Sequence, residues 1–295
     1  MTTQIREVKQ VIAARTQREG AGFVVHRPFP TPEADAVDPF LLLDEMGPVA
    51  YAPGEALGAP DHPHRGFETV TYLLEGEFEH EDSAGHRGVL RPGDVQWMTA
   101  GAGVIHSEEP SARLREQGGR LHGFQIWVNL PRKLKLTQPR YQDVAAAHIP
   151  EATSADGLAK VRVIAGEALG AKAVIATHTP IVFQDWALQP GAEVTVPVDP
   201  AQRAMAYVFE GEAQIGEARL ERGQLAVLGA GDAVQLRGGE RPGRLLLLAG
   251  VPLREPIARY GPFVMNTRLE LEQAFEDYRS GRMGEITRTA QVLQP

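Results

Sequence analysis

The chain repeats itself. Tyr72-Leu73-Leu74-Glu75-Gly76-Glu77 is echoed by Tyr207-Val208-Phe209-Glu210-Gly211-Glu212. Gly93 then finds a counterpart in Gly223, and Gly101-Ala102-Gly103 in Gly229-Ala230-Gly231. Order and approximate spacing persist, with a shorter loop in the second copy. Such self-similarity requires two copies of one structural unit, joined within the proline- and lysine-containing stretch 131–150. Glycine and proline, 31 and 22 residues, are scattered throughout the chain and do not collect in tails. Between them lie short runs rich in Val, Leu, Phe, Tyr and Thr, among them 69–74, 95–98, 125–130, 161–165, 206–209 and 225–228. Many short strands with frequent turns indicate an all-β sandwich or barrel. One helix is expected near the C-terminus. Asn266 or Thr267 caps it, Glu270 completes a capping box with Thr267, and Leu271, Ala274, Phe275 and Tyr278 form its apolar stripe, with Gly281 to end it.

The 295 residues suffice for two domains of ordinary size. There are no cysteines, so disulfides, thiolate metal ligands and a cysteine nucleophile are excluded. The net charge of −8 disfavours direct nucleic-acid binding. The basic stretch Arg132, Lys133, Lys135 and Arg140 is bracketed by Pro131 and Pro139 and reads as a solvated linker. The polar start lacks the apolar core of a signal peptide, and the apolar run 245–253 is too short to span a bilayer. No membrane association and a cytoplasmic location are expected. No phosphate-binding glycine loop and no GxSxG turn occur in the required context.

What the repeat omits is informative. His62 and His64 stand one residue apart, as do His106 and Glu108. Residues i and i+2 of a strand share a face, so each pair aims two ligand atoms at one point. Three imidazoles and a carboxylate suit a divalent transition metal such as iron, manganese, nickel, copper or zinc. Counted from the shared tyrosine and the shared Gly-Ala-Gly, the second copy has Pro197, Asp199, Val234 and Leu236 at these positions. A fold needing the histidines for packing would keep them in both halves. A single metal per chain is expected, in the first half. The carboxylate is left open at this point. Glu108 has direct i, i+2 pairing with His106, while Glu68 shares the parity of His62 and His64 if the strand runs regularly through Gly66.

The remaining histidines read more plainly. His80 and His86 fall in a polar, glycine-containing loop and should be exposed. His26, His148 and His178 lie near prolines in loops. His122 begins a strand and lines a pocket or, more simply, is a hydrogen-bonded strand histidine. Arg65 has the wrong parity for the site. Gln125 and Trp127 share a face and form either pocket lining or core.

The stretches Pro39-Phe40-Leu41-Leu42-Leu43-Asp44, Asp61-His62-Pro63-His64-Arg65-Gly66-Phe67-Glu68-Thr69, residues 101–108, 127–131 and Gly261-Pro262-Phe263-Val264-Met265-Asn266-Thr267 resemble the pirin family of the cupin superfamily. The resemblance runs over essentially the whole chain. It implies two stacked cupin-type β-barrels (double-stranded β-helix) with a short C-terminal helix. The division expected is 1–135 for a metal-binding barrel, 136–260 for a barrel without metal ligands and 261–295 for a C-terminal segment. The resemblance also implies Fe(II) held by His62, His64, His106 and Glu108. The carboxylate choice thereby falls on Glu108, which is also the candidate catalytic base, with Glu68 as the alternative base. The implied activity is that of an iron-dependent dioxygenase resembling quercetin 2,3-dioxygenase, with a small aromatic substrate and dioxygen as partners. The alternative it implies is a redox-responsive regulatory protein that binds a protein partner.

Overall fold

The computed structural model describes residues 3–287. Its strands form two barrels, each a seven-stranded sheet facing a four-stranded one. In the first barrel the large sheet is built around Phe40–Tyr51, Phe67–Glu75 and Gly119–Asn129, and the small sheet around Ala59–His64, Val104–Pro110 and Phe78–Asp82. The second repeats this order with Ile181–Leu188, Arg203–Glu210 and Gly243–Gly250 in the large sheet, and Glu193–Pro197, Ala233–Gly238 and Glu212–Ile215 in the small one.

The two large sheets pack back to back, with one apolar cluster running through both. Phe29, Val70, Tyr72, Trp97 and Phe124 of the first meet Phe183, Tyr207, Leu246 and Leu248 of the second. Burying this much aromatic and aliphatic surface is the main force holding the barrels together. A reciprocal polar contact fixes their register. Tyr72 lies opposite Phe124, and Phe124 opposite Glu45. Tyr207 lies opposite Leu246, and Leu246 opposite Asp185. Across the interface the Tyr72 hydroxyl donates to Asp185 at 2.6 Å, and the Tyr207 hydroxyl donates to Glu45 at 2.7 Å. The repeat tyrosines thus exchange partners about a pseudo-twofold axis. Burial pushes both phenols up, and the facing carboxylates push them further.

Two strands cross the boundary expected between the halves. Val8–Ala13 pairs with Gln224–Leu228 of the second barrel, and Arg140–Val144 pairs with Val95–Thr99 of the first. Edge strands are open to further pairing, and here each is covered by chain from the other half of the sequence.

The C-terminal helix, Arg268–Arg279, has the expected capping box between Thr267 and Glu270 and buries Leu271 and Ala274. With the hairpin Ala258–Tyr260 and Phe263–Met265 it packs on the first barrel, where Arg65 forms a bridge with Phe263. A second helix, Ala112–Gln117, is short. Among the described residues, no helix is long and apolar enough to cross a membrane.

Candidate metal centre

The first barrel's interior is a polar belt between two apolar ends. Along Phe67–Glu75 the inward positions are Phe67, Thr69, Thr71 and Leu73, of which Phe67 joins an apolar cluster at one end and Leu73 a separate one at the other. Along Gly119–Asn129 they are Trp127, Gln125 and Leu121, in the same sequence of apolar, polar and apolar.

The histidines lie on this belt's far wall. His106 pairs directly with His62, and Val104 with His64. The ring centroids are 4.3 Å apart for His62 and His106, 4.7 Å for His62 and His64, and 5.0 Å for His64 and His106. One nitrogen from each falls within 4.8 Å of the others, a triad able to hold a metal ion. The surroundings orient the rings. His62 Nδ1 lies 2.7 Å from the Pro60 carbonyl and His64 Nδ1 lies 3.3 Å from that of Pro262. A proton on each Nδ1 donates to the carbonyl and leaves Nε2 with its lone pair, the arrangement found around metal-binding imidazoles. Phe67 and Trp127 stand edge-on to His64, at 5.1 and 5.2 Å. His106 is fully buried and, among the described residues, neither of its ring nitrogens has a hydrogen-bond partner. Such an orphaned group is costly, and a metal ion would satisfy it. Burial, reinforced by the neighbouring imidazoles, holds His64 and His106 well below the ordinary histidine pKa, so both are in the neutral form that binds metals.

Glu108 is not within the histidine cluster's span. The pairing slips by one residue between His106 and Glu108, which lies opposite Ala59. Its carboxylate accepts the Thr71 hydroxyl at 2.7 Å and lines the same cavity as His62 and His64. Thr71 also lies 2.8 Å from the Gln125 amide. The atom facing Thr71 is Gln125 Oε1, and the hydroxyl's single proton serves one of these two acceptors at a time.

Glu68 stands elsewhere. Gly66, at φ +89°, interrupts the strand, and a Cβ there would come within 2.0 Å of the Val264 carbonyl. Beyond this break the parity changes: Glu68 shares the face of Val70 and Tyr72, pairs with Thr99 and accepts its hydroxyl at 2.7 Å. Burial pushes Glu68 up to about 7. Regular continuation through Gly66 fails because only glycine adopts that turn cheaply.

Other expectations meet the structure unevenly. His122 is the hydrogen-bonded strand histidine, 2.9 Å from Glu45. Gln125 and Trp127 line the cavity, and Arg65 faces away, donating to the Ala102 carbonyl and to Asp277. His26 is in a strand, Phe23–Phe29, where a loop was expected. His80 is not exposed. It lies in Phe78–Asp82, a strand with alternate residues buried, 5.4 Å from the His106 ring and with both nitrogens unpartnered. The alternation of Phe78, His80 and Asp82 with Glu79 and Glu81 is the signal that places it inside. Lys135 is not a solvated linker residue either. Its ammonium is buried and donates to Gly66 O, Asn129 Oδ1 and Val264 O at 2.7–2.9 Å. Three acceptors offset the cost of burial, which still brings the amine down to about 8.

The cavity in front of the histidines has a volume of about 340 Å³. Phe23, Leu42, Met46, Pro60 and Trp127 give it apolar walls. Missed in the sequence are Arg27, Asp44 and Glu19 on its opposite side. Arg27 binds Asp44 through Nε and Nη2, at 2.6 and 2.5 Å, and Glu19 at 2.8 Å. Burial nonetheless pushes Asp44 up to about 6, outweighing the guanidinium. A charge closing the apolar run 39–43 was the available signal.

The Pirin family profile matches residues 22–128 and that of the Pirin C-terminal cupin domain matches residues 183–284. The chain belongs to the pirin family. Mouse pirin is 44% identical over 285 residues, which cover 95% of this chain and 94% of that protein. A tomato pirin-like protein is 43% identical over 283 residues, 95% and 93% of the two chains. Among solved structures, a quercetin 2,3-dioxygenase from Acinetobacter baumannii superposes with a TM-score of 0.90 at 38% identity, covering 96% of this chain and 100% of that one. An oxalate decarboxylase from Lactobacillus farciminis shares the two-barrel fold, at TM-score 0.57 and 12% identity over 98% of each chain. Pirins and that enzyme have a scaffold in common, which does not select the reaction.

Proposed function

We propose that this chain is a metal-dependent dioxygenase acting on a flavonol-like aromatic such as quercetin, with Fe(II) as its ion. The observation that carries this reading is a cavity with apolar walls of about 340 Å³ opening directly onto the convergent histidines. The volume falls within the range of small-molecule sites. The likeness to the Acinetobacter quercetin 2,3-dioxygenase supports it. His62, His64 and His106 would hold the ion, with Glu108 as fourth ligand. A redox-active ion there supplies electronic coupling between an aromatic hydroxyl and dioxygen.

The protein's own groups do the rest. Phe23, Leu42, Met46 and Trp127 sandwich a planar ring system and exclude water. Glu108 lies beside the histidines as the acceptor for a proton leaving the substrate hydroxyl, and Thr71 fixes the direction of its carboxylate. Glu68 stands on the other face of the strand, which supports Glu108 over Glu68 as the base.

The test is oxygen uptake by the Fe(II)-loaded protein given quercetin, with His106→Ala as control. Metal-dependent uptake with a ring-opened product is expected. No uptake by protein shown to carry its iron would reject the reading in favour of the second one, an iron-dependent redox-responsive regulator of a protein partner. One contact favours that alternative: Arg65, adjacent to His64, donates to Asp277 of the C-terminal helix at 2.6 Å, a direct link from the metal loop to the surface.

A further inference from the structure

The cavity has a second polar end. Asp44 lies directly opposite Gln125, and Gln125 opposite Thr71, whose hydroxyl binds Glu108. Two strand spacings, about 9–10 Å, therefore separate Asp44 from the strand that positions Glu108. Leu42 and Met46, two residues either side of Asp44 on its own strand, and Trp127, two residues from Gln125, give this row apolar flanks. The cavity is thus long enough for a planar molecule of two or three rings, with a polar group at either end.

The charge lining the cavity is one-sided. Glu19, Asp44, Asp61 and Glu108 line the cavity, and Arg27 is the guanidinium among them. Two of its nitrogens are taken by carboxylates: Nε and Nη2 by Asp44, with Nη2 also reaching Glu19. The pair is nearly buried, with side-chain exposures of 13% for Arg27 and 6% for Asp44. Arg27 is therefore engaged in holding Asp44 in place, and an anion at this end would face Asp44 and Glu19 as like charges. Each Asp44 oxygen accepts one bond from Arg27 and retains a second lone pair, and an ionised carboxylate can only accept. A ligand group bound to Asp44 must donate. In the second barrel the same register position is Gln184, fully buried, its side-chain amide donating to the Glu167 carbonyl and accepting from Trp186. The polarity is satisfied there and turned toward a cavity here.

We propose that the Arg27–Asp44–Glu19 cluster is the distal specificity element of this site: it receives the hydroxyl groups of a neutral, planar, polyhydroxylated aromatic and excludes carboxylate substrates. The placing of the substrate's other end at the histidines rests on the dioxygenase reading. The recognition does not require turnover. Zinc, which has no redox chemistry, allows binding to be measured alone.

The experiment is calorimetric titration of the zinc-loaded protein with a flavonol bearing two hydroxyls on its distal ring, with the analogue lacking both, and with oxalate. The hydroxylated compound should bind at least about tenfold more tightly than its analogue, and oxalate should give no heat. In Asp44→Asn, and separately in Glu19→Gln at the mouth, the preference should shrink to about threefold or less. A wild-type preference near one, or a measurable affinity for oxalate, would overturn the proposal without reference to any variant. Full preference retained in folded Asp44→Asn protein would overturn it as well. Failure of the dioxygenase reading would look different: no oxygen uptake by the iron form, with the binding preference intact.

Discussion

The two barrels share a strand order and a register, yet one is built around polar groups and the other is not. The ladders align them residue by residue. His62 and His106 correspond to Val196 and Val234, and His64, opposite Val104, corresponds to Val198, whose N–H bonds the Asp232 carbonyl. Glu108 and His80 correspond to Leu236 and Ile215. The row Asp44, Gln125, Thr71 and Gln96 becomes Gln184, Leu247, Ala206 and Ala226. The second interior is a single aliphatic cluster that includes Trp186, Val196, Val198, Val234 and Leu236. The first has separate apolar clusters either side of its belt. One interior is filled for stability, and the other gives up continuous packing for a row of polar side chains and a cavity. The backbone tolerates both because barrel closure depends on hydrogen-bonded ladders and not on what the inward side chains are.

The comparison breaks most severely if the polar set is moved. Leu236→Glu places a carboxylate in a fully aliphatic site with no donor, and should cost roughly 3–5 kcal/mol by urea unfolding. A loss below 1 kcal/mol would mean the second interior is wetter than its packing indicates. The reverse deletion, His106→Ala, should leave the metal-free fold nearly as stable, since it removes a buried unpartnered group. Its effect is on metal: affinity for zinc should fall by at least about a hundredfold, read by competition with a chelator.

Glu68 offers a third test. Its counterpart by the repeat spacing is the exposed Arg203. With a folded pKa of about 7 against an ordinary 4.5, folded protein holds a proton that the unfolded chain releases between those values. Its contribution to stability is therefore complete below pH 4.5 and is lost as pH rises through 7. Glu68→Gln should remove this dependence and be more stable than the parent at pH 8 by up to about 3 kcal/mol. Equal stabilities at pH 8 would show that Glu68 is ionised in the fold at no cost. The smallest effect concerns the reciprocal tyrosines. Tyr72→Phe and Tyr207→Phe should each lose about 1–2 kcal/mol, and nearly equally. A difference well beyond that range would place the interface's stability on one side of its pseudo-axis.

Much of this organisation is legible in the sequence, because a repeat exposes what differs between its copies. The shared tyrosine, glycine turns and Gly-Ala-Gly locate both barrels, and the absence of histidines from the second marks them as candidate metal ligands in the first. Legibility fails where the chain is irregular. Counting residues set Pro197 and Asp199 against His62 and His64, and the ladder corrects each by one position, to Val196 and Val198. Glu68 is misplaced because Gly66 reverses the strand's parity. Lys135 reads as a surface charge because two of its three acceptors, on Gly66 and Val264, are distant in sequence and cannot be foreseen from composition. Asp44 and Arg27 are missed for the same reason: their partnership, 17 residues apart, exists only once two strands pair.

The exchange of edge strands bears on how the molecule comes into being. Val8–Ala13 finds its ladder partner only when 224–228 has been made, and His64 rests on Pro262 while Lys135 ties Gly66 to Val264. During synthesis the first barrel can close early, but its histidine loop stays unbraced until residues 262–264 have been made. Contacts of such long sequence separation form late. A metal ion held by these histidines would therefore be gripped fully only after the hairpin 258–265 has docked, so that its retention would report the docking of that hairpin on the first barrel.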